Sequence, residues 1–374
     1  MKLIISGGHL TPALALMDYA IARYPQTEFV FVGRKYNRES DHQLSQEFQE
    51  THQRHVKFIA LQAARLTWHH PLKLFPQSFI FVFSLFRALS IMANHRPDVM
   101  ISFGGYLALP LAIAAWLLRI PIVTHEQTRA VGVSNQLIAH LAQKIAISFP
   151  SSAIYFPPHK TVLTGNLVRP QLLKNDYPQP SWLKVDEKLP LLYVTGGSQG
   201  SEVINMTIKN VLPHLTKEWQ VIHQCGADSS KRSYLSELEE TKKLLPKTRR
   251  ARYHIREWVT TEELSWIYHH ARLVISRAGA NTTYELIYFT IPAVLIPLPF
   301  AHHQEQAINA QSLVDSGGAV LLQQKQLSNE VLLDAISHLN RKYKASRQKL
   351  AKLAIVREAD KQLWELIQAV ATKM

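Results

Sequence analysis

The apolar run Leu189 to Val194 leads into the turn Gly196-Gly197-Ser198-Gln199-Gly200. A helical pattern of apolar residues begins at once, at Val203, Ile204, Met206, Ile208 and Val211. A strand that passes through glycines into a helix belongs to α/β architecture. It aims unpaired backbone N–H groups, and the positive end of the helix dipole, at one spot. A phosphate suits that spot, and glycine lets the backbone come close to it. Glycine also serves simply to pack a helix against a strand, so the loop alone leaves both uses open. Two ligand classes fit poorly. A P-loop ends in Gly-Lys-Ser/Thr, whereas Gly200 is followed by Ser201-Glu202. A dinucleotide site places an acid at the end of the next strand, and here the run Trp219 to Gly226 ends in Gln224-Cys225-Gly226. A nucleoside diphosphate whose ribose is held elsewhere remains open.

The same alternation runs through the chain. Strand-like runs fall at Lys2 to Ile5, Phe29 to Val32, Val99 to Ser102, Ile122 to Thr124, Lys144 to Ile147 and Thr161 to Leu163. In the second half they fall at Leu189 to Val194, Gln220 to Gln224, Leu273 to Ser276, Ala293 to Ile296 and Ala319 to Leu322. Helical patterns between most of them predict parallel sheets covered on both faces, with ligands outside the carboxyl ends of the strands. The segment Asn166 to Lys188, with Pro170, Pro178 and Pro180, reads as a linker, and the charged tail from about Ser346 to Met374 reads as helical.

At 374 residues the chain is long enough for two cores. Its formal charge of +14 favours an anionic partner: nucleic acid, a membrane surface or a phosphorylated substrate. The single cysteine, Cys225, rules out an internal disulfide framework and a cysteine zinc cluster, and fits a reducing compartment. The first residues read as a strand turning into a helix rather than a signal peptide, because Gly7-Gly8-His9 and Pro12 cut the apolar run. The runs Ser78 to Phe86 and Leu109 to Leu118 stop at Arg87 and Arg119, short of the about 18 residues that cross a bilayer. Arg65, His69, His70, Lys73, Arg87, His95 and Arg96 surround the first run, with Trp68, Phe75, Phe79 and Phe81 among them. Two readings stand: a helix lying in a membrane interface, or a buried core helix with solvated ends. His302 and His303 do not converge as adjacent residues, so a metal reading finds no support there.

Five further clusters line up with the GGSQG loop. They are Gly7-Gly8-His9-Leu10-Thr11-Pro12; Gly104-Gly105-Tyr106; His125-Glu126-Gln127; Gly165-Asn166-Leu167-Val168-Arg169; and Arg277-Ala278-Gly279-Ala280-Asn281-Thr282-Thr283-Tyr284-Glu285, followed by Gln304 to Ala310. In this order, over nearly the whole chain, they resemble glycosyltransferase family 28. More closely, they resemble its peripheral membrane enzymes that add N-acetylglucosamine to the lipid-linked muramyl-pentapeptide (lipid I) in peptidoglycan synthesis.

The resemblance implies an α/β GT-B fold, with two Rossmann-like domains whose parallel sheets face a central cleft. Residues 1–168 would form the acceptor and membrane domain and 169–351 the UDP-sugar domain, with a helix at about 352–374 packing back on the first. It implies inverting, metal-independent transfer from UDP-N-acetylglucosamine, no cofactor, no nucleic-acid partner, and a place on an anionic membrane at its cytoplasmic face. Ser198, Gln199 and Gly200 would hold the diphosphate. Arg169 would add a cation for the departing UDP and Thr282 a further phosphate contact, and Asn166 and Ala280 would also bind substrate. Glu285 would accept from the ribose hydroxyls, Trp258-Val259 would read uracil through backbone groups, and Gln306 would bind sugar hydroxyls. On the acceptor side stand Gly8, Gly104, Gly105, Tyr106 and Thr128.

The chemistry is a displacement at the anomeric carbon. The acceptor hydroxyl loses a proton and UDP leaves with its charge stabilised. No Asp-x-Asp pair, the usual metal holder, occurs in the chain. His9 is the expected base or direct acceptor contact, against a role in ordering the loop or binding phosphate. Glu126 is the second catalytic candidate, against a role as loop organiser. The family's first loop has the longer form GGTGGH where this chain has Ser6-Gly7-Gly8-His9, and its HEQN is His125-Glu126-Gln127-Thr128 here. Both differences fall on the acceptor side, so a transferase with another lipid acceptor, such as diacylglycerol, and a membrane-docked binding subunit without catalysis are the alternatives. A UDP-N-acetylglucosamine 2-epimerase would share the fold without needing the Gly-Gly-Tyr loop or the apolar, basic segment.

Overall fold

The computed structural model describes all residues except 37–42, 64–70, 198, 228–232, 301–303, 354 and 373–374. In the helix Pro71–His95 it describes side chains from residue 79 onward. Ser198, Arg65, Trp68, His69, His70, His302 and His303, and the side chains of Lys73 and Phe75, therefore lie outside the described residues. The chain divides into two compact units, Met1–Pro170 with Val356–Met374, and Gln171–Ile355.

In the first unit, β1 (Lys2–Ser6), β2 (Glu28–Gly33), β3 (Lys57–Ala60), β4 (Val99–Ser102), β5 (Ile122–Glu126), β6 (Lys144–Ile147) and β7 (Thr161–Leu163) form one parallel sheet. Their order is β3-β2-β1-β4-β5-β6-β7. Successive residues bury on opposite faces, as the pleat requires. Leu3 and Ile5 join Leu14, Met17 and Trp364 on one side, while Ile4 joins Met92, Leu111 and Ile138 on the other. The helix Ala359–Ala371 enters this core through Leu363, Trp364 and Ile367, and Trp364 stacks on Tyr24 with ring centroids 5.0 Å apart.

In the second unit, β8 (Leu191–Thr195), β9 (Gln220–Gln224), β10 (Tyr253–Arg256), β11 (Ala271–Ser276), β12 (Ala293–Leu295) and β13 (Ala319–Leu321) form a parallel sheet of order β10-β9-β8-β11-β12-β13. Read by position, that is 3-2-1-4-5-6, the doubly wound order whose direction reverses beside its first strand. The helix Glu202–Glu218 covers one face with Ile204, Ile208, Val211 and Leu215. The supposed linker is packed rather than loose. Trp182 donates to Glu263 at 2.6 Å, Arg256 lies 4.5 Å over its ring, and Leu172 and Leu183 are buried.

Two strands escape the sequence reading, β3 and β10. Both lie at an edge of their sheet, where one flank meets no strand. β3 has only the short, part-exposed apolar run Phe-Ile-Ala, and Tyr-His-Ile-Arg in β10 alternates buried with half-buried residues. The tail is not one helix. The helix Tyr343–Ala351 buries Leu350 against Gly318 in the second unit, while the helix Ala359–Ala371 serves the first. One continuous rod could not bury its apolar residues in both cores.

The helix Pro71–His95 carries the apolar run, and its two ends differ in burial. Its later turns are core, with Ala88, Ile91 and Met92 buried. Earlier, Phe79, Val82, Phe83 and Phe86 recur at the i, i+3, i+4, i+7 spacing of one helix face. They are 58%, 48%, 73% and 66% exposed. This face is not buried in the core, while Ser84 and Leu85 on the other side of the same turns pack inward. No described helix is long and apolar enough to cross a membrane.

Candidate functional site

In each unit a glycine loop sits where strand order reverses, beside a second loop from the neighbouring strand. In the second unit those strands are β8 and β11. After β8 the chain turns at Gly197 (φ 86°) and Gly200 (φ 71°), both in the left-handed region that favours glycine. A Cβ on Gly200 would lie 2.2 Å from the carbonyl oxygen of Cys225, so the loops after β8 and β9 touch backbone to backbone. Thr195 Oγ1 accepts from Gly197 N at 3.0 Å, and Ser201 caps the following helix by accepting from Ile204 N.

Arg277, directly after β11, ties the strand ends together. It donates to Ser201 Oγ at 2.7 Å, to the carbonyls of Ile296 and Pro297 at 3.0 and 3.2 Å, and to Gln324 Oε1 at 3.0 Å. Burial pulls its pKa below the usual guanidinium value. The helix Ala280–Tyr288 then starts at Gly279 with no side-chain cap, which leaves its first N–H groups for another acceptor. Thr282 is half-buried on its first turn, and Glu285 is buried on the second, where Tyr268 donates to Oε2 at 3.2 Å. Gln306 Oε1 accepts from Leu298 N at 2.9 Å, so its oxygen is engaged while its amide NH2 remains to donate. Trp258 is half-exposed and Val259 buried, just beyond β10. Gln199 is exposed at the loop tip.

In the first unit the reversal lies between β1 and β4. A Cβ on Gly8 would meet the Gly104 carbonyl oxygen at 2.3 Å, and one on Gly105 would lie 3.0 Å from Gly8 Cα. Only glycine permits this contact between the two loops. Gly104 and Gly105 turn at φ 78° and 81°, and Tyr106 follows half-buried. His9 stands at the head of the helix Leu10–Arg23, with Nδ1 3.0 Å from the carbonyl of Phe103.

Glu126, at the end of β5, is 1% exposed and fully engaged. Oε1 accepts from Thr128 N at 2.9 Å and lies 2.7 Å from Thr128 Oγ1, while Oε2 accepts from Gly132 N at 3.1 Å and Asn135 Nδ2 at 3.0 Å. These contacts tie the Glu126 carboxylate to its own loop and to Asn135. Thr128 is turned inward with it and is buried. His125 Nε2 lies 3.0 Å from the Gly165 carbonyl, and burial, then the nearby His9, pushes its pKa down to about 4. Asn166 is buried and Arg169 half-buried just after it, at the end of the first unit. Among the described residues no three His, Cys, Asp or Glu side chains gather as metal ligands.

Three contributors were not legible in the sequence. Arg277 appears there only as part of a block, and Asn135 sits outside every motif. Glu47 lies in a polar helix, Gln46–Gln53, yet is buried under the first loop. It accepts from Arg34 N at 2.7 Å, and a Cβ on Gly7 or Gly33 would press on Oε2 at 2.9 or 2.6 Å. Burial raises its pKa, opposed by backbone N–H groups of Arg34 and Gly8.

Comparison with known proteins gives this geometry its context. The glycosyltransferase family 28 N-terminal domain matches residues 5–147, and the family's C-terminal domain matches residues 191–363. A curated relative from Clostridium perfringens, named UDP-N-acetylglucosamine--N-acetylmuramyl-(pentapeptide) pyrophosphoryl-undecaprenol N-acetylglucosamine transferase, is 31% identical over 94% of both chains. A relative of the same name from Anaeromyxobacter dehalogenans is 32% identical over 87% of this chain and 80% of its own. Among solved structures, MurG of Acinetobacter baumannii superposes with a TM-score of 0.70 at 24% identity, covering 99% of this chain and 100% of that one. The UDP-N-acetylglucosamine 2-epimerase of Neisseria meningitidis, bound to UDP-N-acetylglucosamine, reaches 0.64 at 11% identity over 99% and 100%, which marks a shared fold. The two parallel sheets are those of the GT-B fold, and the chain belongs to glycosyltransferase family 28.

Proposed function

We propose that this chain transfers N-acetylglucosamine from UDP-N-acetylglucosamine to a lipid-linked muramyl-pentapeptide acceptor, with inversion at the anomeric carbon. One observation carries the reading: relatives bearing that activity in their name match along 94% of both chains. The geometry supports a division of labour. The helix that follows Gly196–Ser201 and the uncapped start of Ala280–Tyr288 present N–H groups to the UDP diphosphate, joined by Ser198 and Thr282. Glu285 takes the ribose hydroxyls, the backbone at Trp258-Val259 the uracil, and Gln306 the sugar. Arg169 balances charge on the departing UDP. His9 removes the acceptor proton through Nε2, while Gly8, Gly104, Gly105 and Tyr106 shape the acceptor loop. Glu126 holds that region in form through Thr128 and Asn135. The exposed face of Phe79, Val82, Phe83 and Phe86, on a chain of charge +14, supports docking on an anionic membrane surface, at its cytoplasmic side.

The test is UDP release from UDP-N-acetylglucosamine with a lipid I analogue, in the wild type and in His9→Ala. Turnover by the wild type and its loss in the variant are expected. Turnover with diacylglycerol alone would reassign the acceptor, and UDP binding without turnover on any lipid would make the chain a binding subunit.

A further inference from the structure

A row of three buried polar side chains, Tyr253, His223 and Asn205, crosses the second unit, whose core is otherwise built of residues such as Ile204, Ile208, Val221 and Ile255. Each hydrogen bond in the row has one possible direction. The carbonyl oxygen of Cys225 only accepts, so Asn205 turns Nδ2 towards it, at 2.9 Å. Asn205 Oδ1 then faces His223 Nε2 at 3.0 Å, and that nitrogen carries the proton. His223 Nδ1 keeps its lone pair, and Tyr253 donates to it at 2.8 Å. Burial keeps the ring neutral, with its pKa pushed down to about 3.

The row ends on a backbone that lies between the two segments assigned above to the diphosphate and the uracil. On one side, a Cβ on Gly200 would meet the Cys225 carbonyl oxygen at 2.2 Å, and one on Gly226 would meet Gly200 Cα and N at 2.4 Å. On the other, Cys225 N donates to Arg256 O at 2.9 Å and Gly226 N to Glu257 O at 3.1 Å, directly before Trp258-Val259. Asn205 is itself the fourth residue of the helix Glu202–Glu218, which follows the glycine loop. One amide thus ties the start of that helix to the strand end on which Gly200 rests. Buried polar groups add little net stability over apolar ones of the same shape. What this row adds to an apolar core is a fixed direction and distance.

We propose that Asn205, oriented by His223 and Tyr253, is a positioning residue for the donor: it holds the Cys225 carbonyl, and through it the turn at Gly200, where the UDP diphosphate needs them. The inference rests on the UDP site proposed above and adds what sets the shape of that site from inside the core. All three side chains are buried and act through the backbone. The loop holds the diphosphate both before and during transfer, so its displacement raises the donor KM and leaves kcat near the wild-type value.

UDP calorimetry and donor kinetics on the full chain test this, with urea midpoints measured in parallel. Asn205→Ala is expected to raise the Kd for UDP and the KM for UDP-N-acetylglucosamine by about tenfold, with kcat within about threefold of wild type. Tyr253→Phe keeps the ring and its packing but no longer fixes the His223 tautomer, and should weaken UDP by about threefold. His223→Gln offers one donor and one acceptor, as the neutral ring does, and should keep wild-type UDP affinity. Leu215→Ala, later in the same helix and in the same core, should lower the urea midpoint at unchanged UDP affinity. Wild-type UDP affinity in Asn205→Ala would overturn the proposal. So would equal weakening by Leu215→Ala, which would make lost stability the cause. Should Asn205→Ala not fold, Tyr253→Phe decides alone, and wild-type UDP affinity there overturns it. Two further outcomes separate the levels. A wild type that binds no UDP removes the donor site and this proposal together, whereas UDP binding without transfer to lipid I removes the proposed function and leaves the role of Asn205 to the affinities.

Discussion

His9 Nδ1 lies 3.0 Å from the carbonyl oxygen of Phe103. A carbonyl only accepts, so in the neutral ring Nδ1 carries the proton and Nε2 keeps its lone pair. The loop after β4 thus sets the tautomer of a histidine in the loop after β1. The second unit has the matching relation, with Arg277 after β11 donating to Ser201 after β8 at 2.7 Å. In both units the loops that flank the reversal of strand order are locked by one side chain.

Loss of that lone pair should stop the chemistry and spare the donor. His9→Ala is expected to lower kcat by about 10²- to 10⁴-fold, with KM for UDP-N-acetylglucosamine within about twofold of wild type, since a base acts in the transition state. Steady-state kinetics check this. A tenfold rise in donor KM at unchanged kcat would instead make His9 a binding residue.

Glu126 should behave as an organiser. In Glu126→Gln an amide NH2 replaces an oxygen that accepts from two donors, and the charge is gone. A loss of about 2 kcal/mol in folding stability is expected from the buried unmet donors. The activity that remains should keep the wild-type pH profile. Removal of one limb of that profile would restore Glu126 as a proton carrier.

Two glycines of one loop should respond differently to alanine. Gly200→Ala puts a Cβ 2.2 Å from the Cys225 carbonyl oxygen, a backbone atom that cannot rotate away as a side chain would. It should cost roughly 2 kcal/mol or more and abolish UDP binding. Gly197 has nothing within 4 Å of a Cβ, so Gly197→Ala should cost about 1 kcal/mol for its positive φ alone. Urea unfolding of the two variants compares them, and equal losses would refute the contact argument.

The fold should weaken in mild acid. Burial pushes His125 down to about 4 and His223 to about 3. His223 is satisfied as a neutral ring: Asn205 Oδ1 accepts from Nε2–H at 3.0 Å, and Tyr253 donates to Nδ1 at 2.8 Å. In the unfolded chain both rings take a proton near pH 6.5. Between that pH and about 4 the unfolded state therefore holds more protons. Stability is complete above pH 6.5 and falls on acidification, by up to about 1.4 kcal/mol per pH unit for each ring. Urea midpoints at pH 7.5 and 5.0 measure this, and His223→Gln should flatten the slope. A flat wild-type profile would contradict the burial of both rings.

Membrane docking should depend on the exposed face of Phe79, Val82, Phe83 and Phe86. Phe79→Asp with Val82→Asp is expected to reduce co-sedimentation with anionic vesicles by at least about tenfold, while binding of the wild type weakens with added salt. Unchanged sedimentation of the variant would place the contact elsewhere.

Most strands were legible because those of a parallel sheet bury both faces, and so leave continuous apolar runs such as Leu3-Ile4-Ile5 and Leu191 to Val194. β3 and β10 were not: Tyr-His-Ile-Arg alternates polar with apolar residues, and Phe-Ile-Ala follows a long polar stretch. The glycine loops were legible as local chemistry: a positive φ or a backbone contact demands glycine within a few residues of a strand end. Asn135, Arg277 and Glu47 were not, because what each does is decided by residues far away in the chain.

The sequence by itself determined the class of fold and the family, since those rest on periodicity and on motifs a few residues long. Tertiary structure alone decided the rest. It turned the Glu126 carboxylate inward onto Thr128, Gly132 and Asn135, fixed the His9 tautomer through a carbonyl 94 residues away, and left the Phe79 to Phe86 face uncovered. Composition sets what a side chain is able to do, and only packing sets which of its atoms have partners and which are left to face a substrate or a membrane.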